Sequence, residues 1–283
     1  AEPTTGRVDR VLIGVFNYHR APAEEELIDA INQLIADAAP DPIDDLIVDL
    51  RYNGGGFGII ASQLAYMVAG PQQTDGRTFD RLQYNDKHTT VDIFGNPILP
   101  DPFVDVTTGF FTLPFGEPLP ALNLSRVFVI TGSGTASASE LFINGLRGID
   151  VQVIQIGATT TGKPYGFFEE PNCGTSYFTV QFSSVNAKGW GDYSLGFMPS
   201  AVDDGEAQVL GCTVADDFTR QLGDPDEDRL EVALAYQAGQ ACITPQSLAP
   251  GTISKTTVDV SANEGYMHKT PFESNLIMLR PRQ

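Results

Sequence analysis

The stretch ITGSGTASASELFINGLRG, residues 130–148, decides the fold of this chain. An apolar run stops at a string of small residues that places three serines, Ser133, Ser137 and Ser139, within seven positions. The chain then continues with apolar residues at helical spacing, which predicts a helix over about residues 138–146. A strand, a small-residue loop and a helix in this order leave two interpretations. The loop is either an ordinary turn or a segment that presents a hydroxyl group.

The segments on either side of this stretch predict an α/β layer architecture. Short apolar runs suit strands that are covered on both faces, and segments with helical spacing lie between them. Strands that alternate with helices at these lengths are typical of α/β proteins. The predicted strands are residues 11–16, 46–50, 126–131, 151–156 and 175–182, and the predicted helices are residues 27–35, 59–68 and 138–146.

Two further regions frame the predicted core. Residues 70–124 are irregular and rich in Pro, Gly and Asp, and an insertion of this length between core elements is more typical of a cleft wall than of a plain connection. Asp224 and Pro225 predict the N-cap and first position of another helix that continues to about Tyr236. From Ile243 the chain carries little periodicity, which predicts a C-terminal extension over residues 243–283.

Composition excludes several classes of partner. The 283 residues include 17 Lys and Arg against 36 Asp and Glu, so the formal net charge is −19. A surface this acidic repels nucleic acid and anionic lipid. No apolar run approaches the roughly 18 to 20 residues that span a bilayer, and no basic segment with an apolar run opens the chain. We therefore expect either a soluble mature form or a trimmed one, with no membrane span.

The cysteine pattern favours an exported protein. Cys173, Cys212 and Cys242 are widely separated and lack the C-x-x-C spacing of zinc or thioredoxin-like sites. We expect one disulfide, with Cys212–Cys242 as one pairing, and one remaining thiol. Three buried free thiols in a cytosolic protein are the alternative.

Two motifs resemble ligand-binding motifs, but each lacks a residue that the ligand requires. GATTTGKP, residues 157–164, matches the spacing of a phosphate-binding loop, but Pro164 stands where Ser or Thr should bind magnesium and no helix is predicted to follow. DPDEDR, residues 224–229, alternates carboxylates as a calcium loop does, yet Arg229 occupies the position that requires glycine. The start of a helix explains those acids, so we expect no metal and no cofactor.

A serine nucleophile needs a neighbouring base. The histidines of the chain, His19, His88 and His268, stand in no catalytic setting. Lysine can replace histidine where burial disfavours its charge and lowers its pKa. Lys163 lies between TTTG and PYGFF, with apolar neighbours and no carboxylate next to it in sequence. This setting favours a neutral amine.

Three motifs in order resemble the catalytic core of the carboxyl-terminal processing peptidases, also called tail-specific proteases. They are DLIVDLRYNGGG (residues 45–56), VFVITGSGTASASELFINGL (127–146) and TTTGKP (159–164). The resemblance runs from about residue 8 to residue 240 and implies a crotonase-like α/β fold of repeated β-β-α units. It implies a peptidase core over residues 1–242, with the insertion at about 70–124, followed by the extension.

The resemblance also implies roles for individual residues. The serine before Ala-Ser-Glu, Ser137, corresponds to the nucleophile, and the lysine of T-x-G-K, Lys163, corresponds to the general base. Ser133 and Ser139 are then supporting or structural. The implied oxyanion donors are the backbone amides of Ala138 and Gly55, and the residues expected to hold the glycine turn in shape are Asp49, Arg51, Asn53, Gly54 and Gly56. An ordinary ion-pair role for Arg51 remains open.

The chain departs from the family in two places. Family members often carry a glutamine four residues after the lysine, and this chain has Phe167 there, so Thr160 is a candidate for positioning Lys163. A PDZ domain usually precedes the family's core, and no such stretch fits before Val8. Downstream, Trp190 and Tyr193 are interpreted as packing or cleft-wall residues.

Two functions of different classes remain. The first is a serine endopeptidase that cleaves polypeptides near their C-termini. Such a protein would be exported and would be periplasmic, extracellular or attached to the envelope by a lipid anchor. The second is a non-catalytic ligand- or peptide-binding module, because the same core resembles retinoid-binding domains of the photoreceptor matrix.

Overall fold

A parallel sheet of six strands forms the centre of the protein. The structure is a computed structural model that describes residues 8–11, 23–109, 112–243, 245 and 276–277. The sheet order is β1-β2-β5-β6-β12-β11, and every neighbouring pair is parallel. Its strands are β1 (Val8–Val11), β2 (Asp45–Asp49), β5 (Arg126–Thr131), β6 (Gln152–Gly157), β11 (Met198–Ser200) and β12 (Gln208–Thr213).

Helices cover both faces of this sheet, as the apolar runs predict. The helices are α1 (Ala23–Ala38), α2 (Gly58–Ala69), the short α3 (Pro71–Thr74), α4 (Ala138–Gly148) and α5 (Asp228–Gln237). Successive strand residues point to opposite faces. Val127 and Val129 of β5 therefore pack in the core that contains α1, α2 and α4, while Phe128 and Ile130 pack in the core that contains α5. Because both faces are buried, β5 needs an unbroken apolar run.

A second sheet shows that the insertion is more than an irregular excursion. Its order is β13-β7-β10-β3-β4, and β3, which lies within the insertion, pairs antiparallel with β10. Phe79 of β3 lies so close to Gly145 of α4 that an added Cβ there would be 2.3 Å from its ring. The remaining strands are β3 (Thr78–Gln83), β4 (Asp101–Pro102), β7 (Tyr165–Phe167), β8 (Glu170–Asn172), β9 (Thr175–Tyr177), β10 (Phe182–Val185) and β13 (Leu276–Ile277).

Three predicted boundaries differ from the structure. The strand predicted over 175–182 divides into β9, which forms a hairpin with β8, and β10, which begins at Phe182. The helix predicted from Asp224 begins at Asp228, because the side chain of Glu227 caps it by accepting a hydrogen bond from the N–H of Leu230 at 3.1 Å. The strand predicted at 11–16 is observed as β1 at 8–11, and residues 12–16 lie outside the described residues.

The cysteine prediction is confirmed where it names a pair. Cys212 of β12 and Cys242 after α5 form a disulfide, and Cys173 is an exposed free cysteine at the β8–β9 turn. Within the described part of the chain, no helix has the length and apolar character needed to cross a bilayer.

Candidate active site

Ser137 occupies a sharp turn between β5 and α4. Its φ and ψ are +61° and −116°, a backbone conformation that side-chain-bearing residues rarely adopt and that costs about 1–3 kcal/mol. Strain of this kind persists only where the surrounding structure holds it, and it concentrates at functional sites. The residue is fully buried, and its Oγ has no hydrogen-bond partner among the described residues. The turn thus holds an unpaired hydroxyl at the start of a helix.

Hydrogen bonds join the serine loop, residues 132–137, to the segment that follows β2. The hydroxyl of Thr135 donates to the carbonyl of Leu50 at 2.6 Å. The N–H of Ala136 and the hydroxyl of Ser139 both donate to the carbonyl of Asn53, each at 3.1 Å. Ser139 is therefore structural, one of the two roles expected for it.

Small residues in the serine loop permit this contact. A Cβ at Gly132 would lie 2.7 Å from the carbonyl oxygen of Arg51. Glycine at this position is explained by close packing between two loops of the protein.

The glycine turn, residues 52–56, touches the serine directly. Gly55 has φ +101°, and an added Cβ would lie 2.5 Å from Cβ of Ser137 and 2.8 Å from the backbone nitrogen of Ala138. Gly54 and Gly56 flank it, and Gly56 also has positive φ, at +146°. Only glycine allows the turn to approach so closely. The two loops named by the sequence motifs therefore form one site.

The two predicted oxyanion donors differ in whether their N–H groups already have a hydrogen-bond acceptor. The N–H of Ala138, at the first position of α4, makes no hydrogen bond to any residue that the structure describes. The N–H of Gly55 donates to Oδ1 of Asn53 at 3.0 Å, so it is already engaged within its own turn. Of the two N–H groups, only that of Ala138 has no acceptor among the described residues, and its role as an oxyanion donor stays a prediction.

Glu140 connects the serine loop to the lysine loop, residues 158–163. Its fully buried carboxylate accepts from the N–H of Ser137 at 2.8 Å and the N–H of Lys163 at 2.8 Å. It also accepts from the N–H of Gly162 at 2.7 Å and the hydroxyl of Thr160 at 2.6 Å. Burial raises the pKa of this carboxyl, and the four hydrogen bonds act in the opposite direction.

Sequence reasoning missed Glu140, although a local signal was present. A glutamate three residues after a serine is the spacing of a capping box, in which the carboxylate binds the backbone of the residue before the helix. Here the same carboxylate also reaches the lysine loop. No carboxylate lies next to Lys163 in sequence, but the fold brings the Glu140 carboxylate to its backbone N–H.

The Lys163 side chain is half-buried in the loop between β6 and β7. Burial lowers the pKa of its amine from the ordinary 10.5 to about 8, against the opposing charge of Glu140. An amine with this pKa is substantially neutral in mildly alkaline solution, as a general base must be. Thr160 bonds to Glu140 and accepts from the N–H of Phe197 at 2.7 Å, so it acts on the lysine loop through Glu140.

Phe167 gives Lys163 no polar partner in place of the family's glutamine. Its ring is buried and lies 5.2 Å from the ring of Phe178. Tyr193 is fully buried and stacks on Phe197 at 4.9 Å, and Trp190 lies 5.8 Å from the same ring. The packing interpretation of Trp190 and Tyr193 is confirmed.

Arg51 and Asp49 lie behind the glycine turn. Arg51 is buried, and its guanidinium donates to Asp49 at 3.0 Å. Although burial alone lowers the pKa of this guanidinium, hydrogen bonds and charges from its carboxylate partners raise it above its ordinary value. Arg51 is therefore a buried ion-pair residue. Its backbone begins the turn, and its side chain points to carboxylates of the core.

The structure departs from a phosphate-binding loop directly after residues 157–164. Pro164 is followed by the strand β7, so residues 157–164 lack the helix that a phosphate-binding loop requires. The described residues contain no group of three or more His, Cys, Asp or Glu that could hold a metal ion. His88 contacts the carbonyl of Asp92 in the insertion, and His19 and His268 lie outside the described residues.

Comparisons with known proteins agree with this architecture. The sequence profile of peptidase family S41 matches residues 13–171. A Bacteroides fragilis protein assigned to the S41 proteases aligns at 24% identity with a TM-score of 0.56, over 75% of this chain and 49% of its own. The photosystem II D1 C-terminal processing protease aligns at 18% identity with a TM-score of 0.48, over 72% and 45%. Mature CPAF aligns at 17% identity with a TM-score of 0.42, over 68% and 46%.

Of these alignments, only the one with the Bacteroides fragilis structure has a TM-score above 0.5, and it bears on the fold alone. The Bacteroides fragilis structure supports a mixed α/β fold with a mostly parallel central sheet. The chain spans about half the length of the structures it matches. No curated protein matches it.

Proposed function

The chain belongs to peptidase family S41, and from this premise we propose that it is a serine endopeptidase of the tail-specific type. In this proposal Ser137 is the nucleophile and Lys163 is the general base. The fold is crotonase-like, with the peptidase core over residues 1–242 and the extension over 243–283. No cofactor or metal takes part in the reaction.

The observation that supports the proposal most strongly is the position of Glu140. One buried carboxylate binds the backbone N–H of Ser137 and that of Lys163 at 2.8 Å each. Nucleophile and base come from loops at the ends of adjacent strands, and this carboxylate fixes them relative to each other. A buried, strained, unpaired hydroxyl joined in this way to a lysine of lowered pKa suits acyl transfer.

The proposed reaction follows from these groups. The neutral amine of Lys163 takes the proton of the Ser137 hydroxyl while Oγ attacks the scissile carbonyl carbon. The resulting ammonium gives the proton to the departing amine, and the peptide C–N bond breaks. Water then attacks the acyl ester, again with Lys163 as base, and restores the serine.

The oxyanion of the intermediate is assigned to Ala138 and Gly55. The Ala138 N–H lies at the start of α4 without another partner among the described residues, so it can donate fully. The Gly55 N–H already donates to Oδ1 of Asn53, so it can stabilise the oxyanion only by donating to both acceptors at once. Ala138 is therefore the stronger donor of the two.

The proposed substrates are polypeptides, cleaved in their C-terminal region. We place the protein outside the cytoplasm, as a periplasmic, extracellular or envelope-anchored enzyme. The Cys212–Cys242 disulfide supports this location, because disulfides persist in oxidising compartments.

A fluorophosphonate probe tests the proposal directly. It should label the protein covalently at Ser137, and Ser137→Ala or Lys163→Ala should abolish both labelling and cleavage of casein. The matched controls are Ser133→Ala, an exposed serine of the same loop, and Lys87→Ala, an exposed lysine of the insertion. Full labelling of Ser137→Ala would refute the assignment.

The binding-module alternative rests on Phe167. A buried ring occupies the position from which a glutamine would orient the lysine, which leaves that orientation to other groups. An intact, folded protein that forms no acyl or phosphonyl adduct at any pH would favour binding over catalysis.

A further inference from the structure

Five charged side chains form a buried ion cluster behind the glycine turn. The guanidinium of Arg51 donates to both oxygens of Glu227, at 2.7 and 2.8 Å, and to Asp216 at 3.1 Å. It also bonds to Asp49 at 3.0 Å. Arg229 pairs with Asp216 at 3.3 Å. The side chains of Arg51, Glu227 and Arg229 are 1%, 0% and 4% exposed, so water contributes little to their solvation.

Three members of the cluster belong to one covalently closed segment. Asp216, Glu227 and Arg229 all lie between Cys212 and Cys242, the two ends of the disulfide. This disulfide-closed segment, residues 212–242, contains α5 and lies outside the region that matches the family profile. The sequence motifs therefore give it no role in the reaction.

The segment is bonded to Arg51, which precedes the glycine turn, and to Tyr52, the first residue of the turn. Arg51 is held by Glu227 and Asp216, and the hydroxyl of Tyr52 donates to Asp216 at 2.8 Å. The chain then turns through Asn53, whose N–H bonds to the carbonyl of Leu50 at 3.0 Å, to Gly55 against Ser137. The path from Glu227 to the nucleophile thus runs through the turn assigned to the oxyanion.

Stability alone explains this cluster poorly. Removing charges from water costs several kcal/mol per ion, so a buried ion network adds little net stability compared with apolar residues of the same size. What such a network provides is geometry, because the planar guanidinium fixes carboxylates on both of its edges. The geometry fixed here is the start of the glycine turn.

We propose that Glu227 and Asp216 are positioning residues, and that the disulfide-closed segment holds the glycine turn in the geometry required for acyl transfer. The inference rests on the proposed peptidase function. In this proposal the segment contacts Arg51 and Tyr52 and not the substrate. It stabilises the transition state indirectly, by holding the glycine turn in place.

Two variants and a matched control test it in the full, oxidised chain. Glu227→Gln and Asp216→Asn each remove one charge from the cluster and keep the side-chain shape. The control is Asp45→Asn, a buried carboxylate at the opposite end of β2, which bonds to Arg126 and, at 2.9 Å, to Gln237. All three remove a carboxylate that is paired with arginine. Asp45 also bonds to the disulfide-closed segment, through Gln237, but only Glu227 and Asp216 bond to Arg51 at the entrance of the glycine turn.

The measurements are kcat and KM for a peptide substrate, and hydrogen exchange of the backbone amides in residues 52–57. For Glu227→Gln we expect kcat to fall about tenfold to a hundredfold with KM changed less than about threefold, because a small displacement of the oxyanion site affects mainly the transition state. Amide exchange in the turn should accelerate about tenfold or more. Asp45→Asn should lower thermal stability and leave both quantities near wild type.

Several outcomes would overturn the inference. These are wild-type kcat and exchange in both cluster variants, a loss of kcat without faster exchange in the turn, or an equal loss of kcat in Asp45→Asn. If Glu227→Gln fails to fold, Asp216→Asn decides, since Asp216 is 15% exposed and tolerates the change better. If the wild-type protein shows no turnover, that result contradicts the peptidase proposal and not the positioning role. Faster amide exchange in residues 52–57 of the cluster variants would then still support the positioning role, and unchanged exchange would overturn it.

Discussion

Raising the pH from 6 to 10 should increase the rate at which a fluorophosphonate labels the protein, along a curve that follows deprotonation of the Lys163 amine. The general base must be neutral to accept the serine proton. Burial lowers the pKa of this amine to about 8, so protonation limits the rate below that pH and ceases to limit it above. The expected profile of labelling rate against pH rises and then becomes flat.

The size of the effect separates this lysine from an ordinary one. With a pKa of about 8, the neutral fraction is about 1% at pH 6, about 9% at pH 7 and about 90% at pH 9. The rate should therefore rise about tenfold between pH 7 and pH 9. An exposed lysine of ordinary pKa would give about a hundredfold rise over the same interval and would continue to rise beyond pH 10.

The assay is the second-order rate constant of fluorophosphonate labelling, corrected for hydrolysis of the reagent at each pH. Lys163→Arg is the control, because a guanidinium remains protonated throughout the range and should give no labelling. A rate that continues to climb tenfold per pH unit above pH 9 would show that the amine is not desolvated. A rate independent of pH would show that Lys163 is not the base.

The lowered pKa of Lys163 also makes the free energy of unfolding depend on pH. The folded pKa of Lys163 lies below the unfolded value, so the unfolded chain binds more protons between about pH 8 and pH 10.5. Burying the charged form of this lysine therefore destabilises the fold below about pH 8. The free energy of unfolding rises with pH between about pH 8 and pH 10.5, as that cost is removed. Lys163→Met should raise the free energy of unfolding at pH 7, and an unchanged or lower value in denaturant titration would contradict the burial.

Three further predictions follow from buried contacts. Glu140→Gln replaces one acceptor oxygen by an amide donor and leaves one or two of the backbone N–H groups that bond to this side chain without an acceptor, so it should destabilise the protein by about 1–6 kcal/mol in denaturant titration and abolish fluorophosphonate labelling. Gly55→Ala should cost about 2–5 kcal/mol because its Cβ would overlap Ser137, whereas Gly95→Ala, with positive φ but no atom within 4 Å, should cost only about 1–2 kcal/mol; equal losses would contradict the packing. Burial and the charge of a neighbouring carboxyl raise the pKa of Asp80 to about 7, so the folded state holds an extra proton and loses stability as pH rises from about 4 to 7. In Asp80→Asn, calorimetry should show this loss reduced, and an unchanged slope would refute the assignment.

Much of the central sheet could be predicted because its signals are local. The strand over residues 126–131 was predicted at its observed bounds, and the helix that follows begins at Ala138 as expected. Both faces of β5 are buried, so a continuous apolar run identifies it without reference to its partners. The second sheet was largely missed, because β3 (TFDRLQ) mixes polar and apolar residues on both of its faces and pairs with β10 about a hundred residues later.

Parts of the site could be predicted for a similar reason. Ser137 and Lys163 were selected because their motifs appear in the family's order along the chain, and the structure shows that Glu140 bonds to the backbone of both. Their catalytic roles stay predictions. Glu140 had a local capping signal that could have identified it. Glu227 had none that points to the site, since its bond to Arg51 joins residues 176 positions apart.

By itself, the sequence determined which segments are strands and helices of the central layer, which two loops carry a hydroxyl and an amine, and which family contains the chain. Those properties depend on residue type and spacing over a few positions. Only the tertiary structure decided that Glu140 bonds to both loops, that Gly55 lies against Ser137, and that Arg51 is enclosed by carboxylates of the disulfide-closed segment. These depend on distances of about 3 Å between residues remote in sequence, and such distances exist only after the sheet has aligned the ends of its strands.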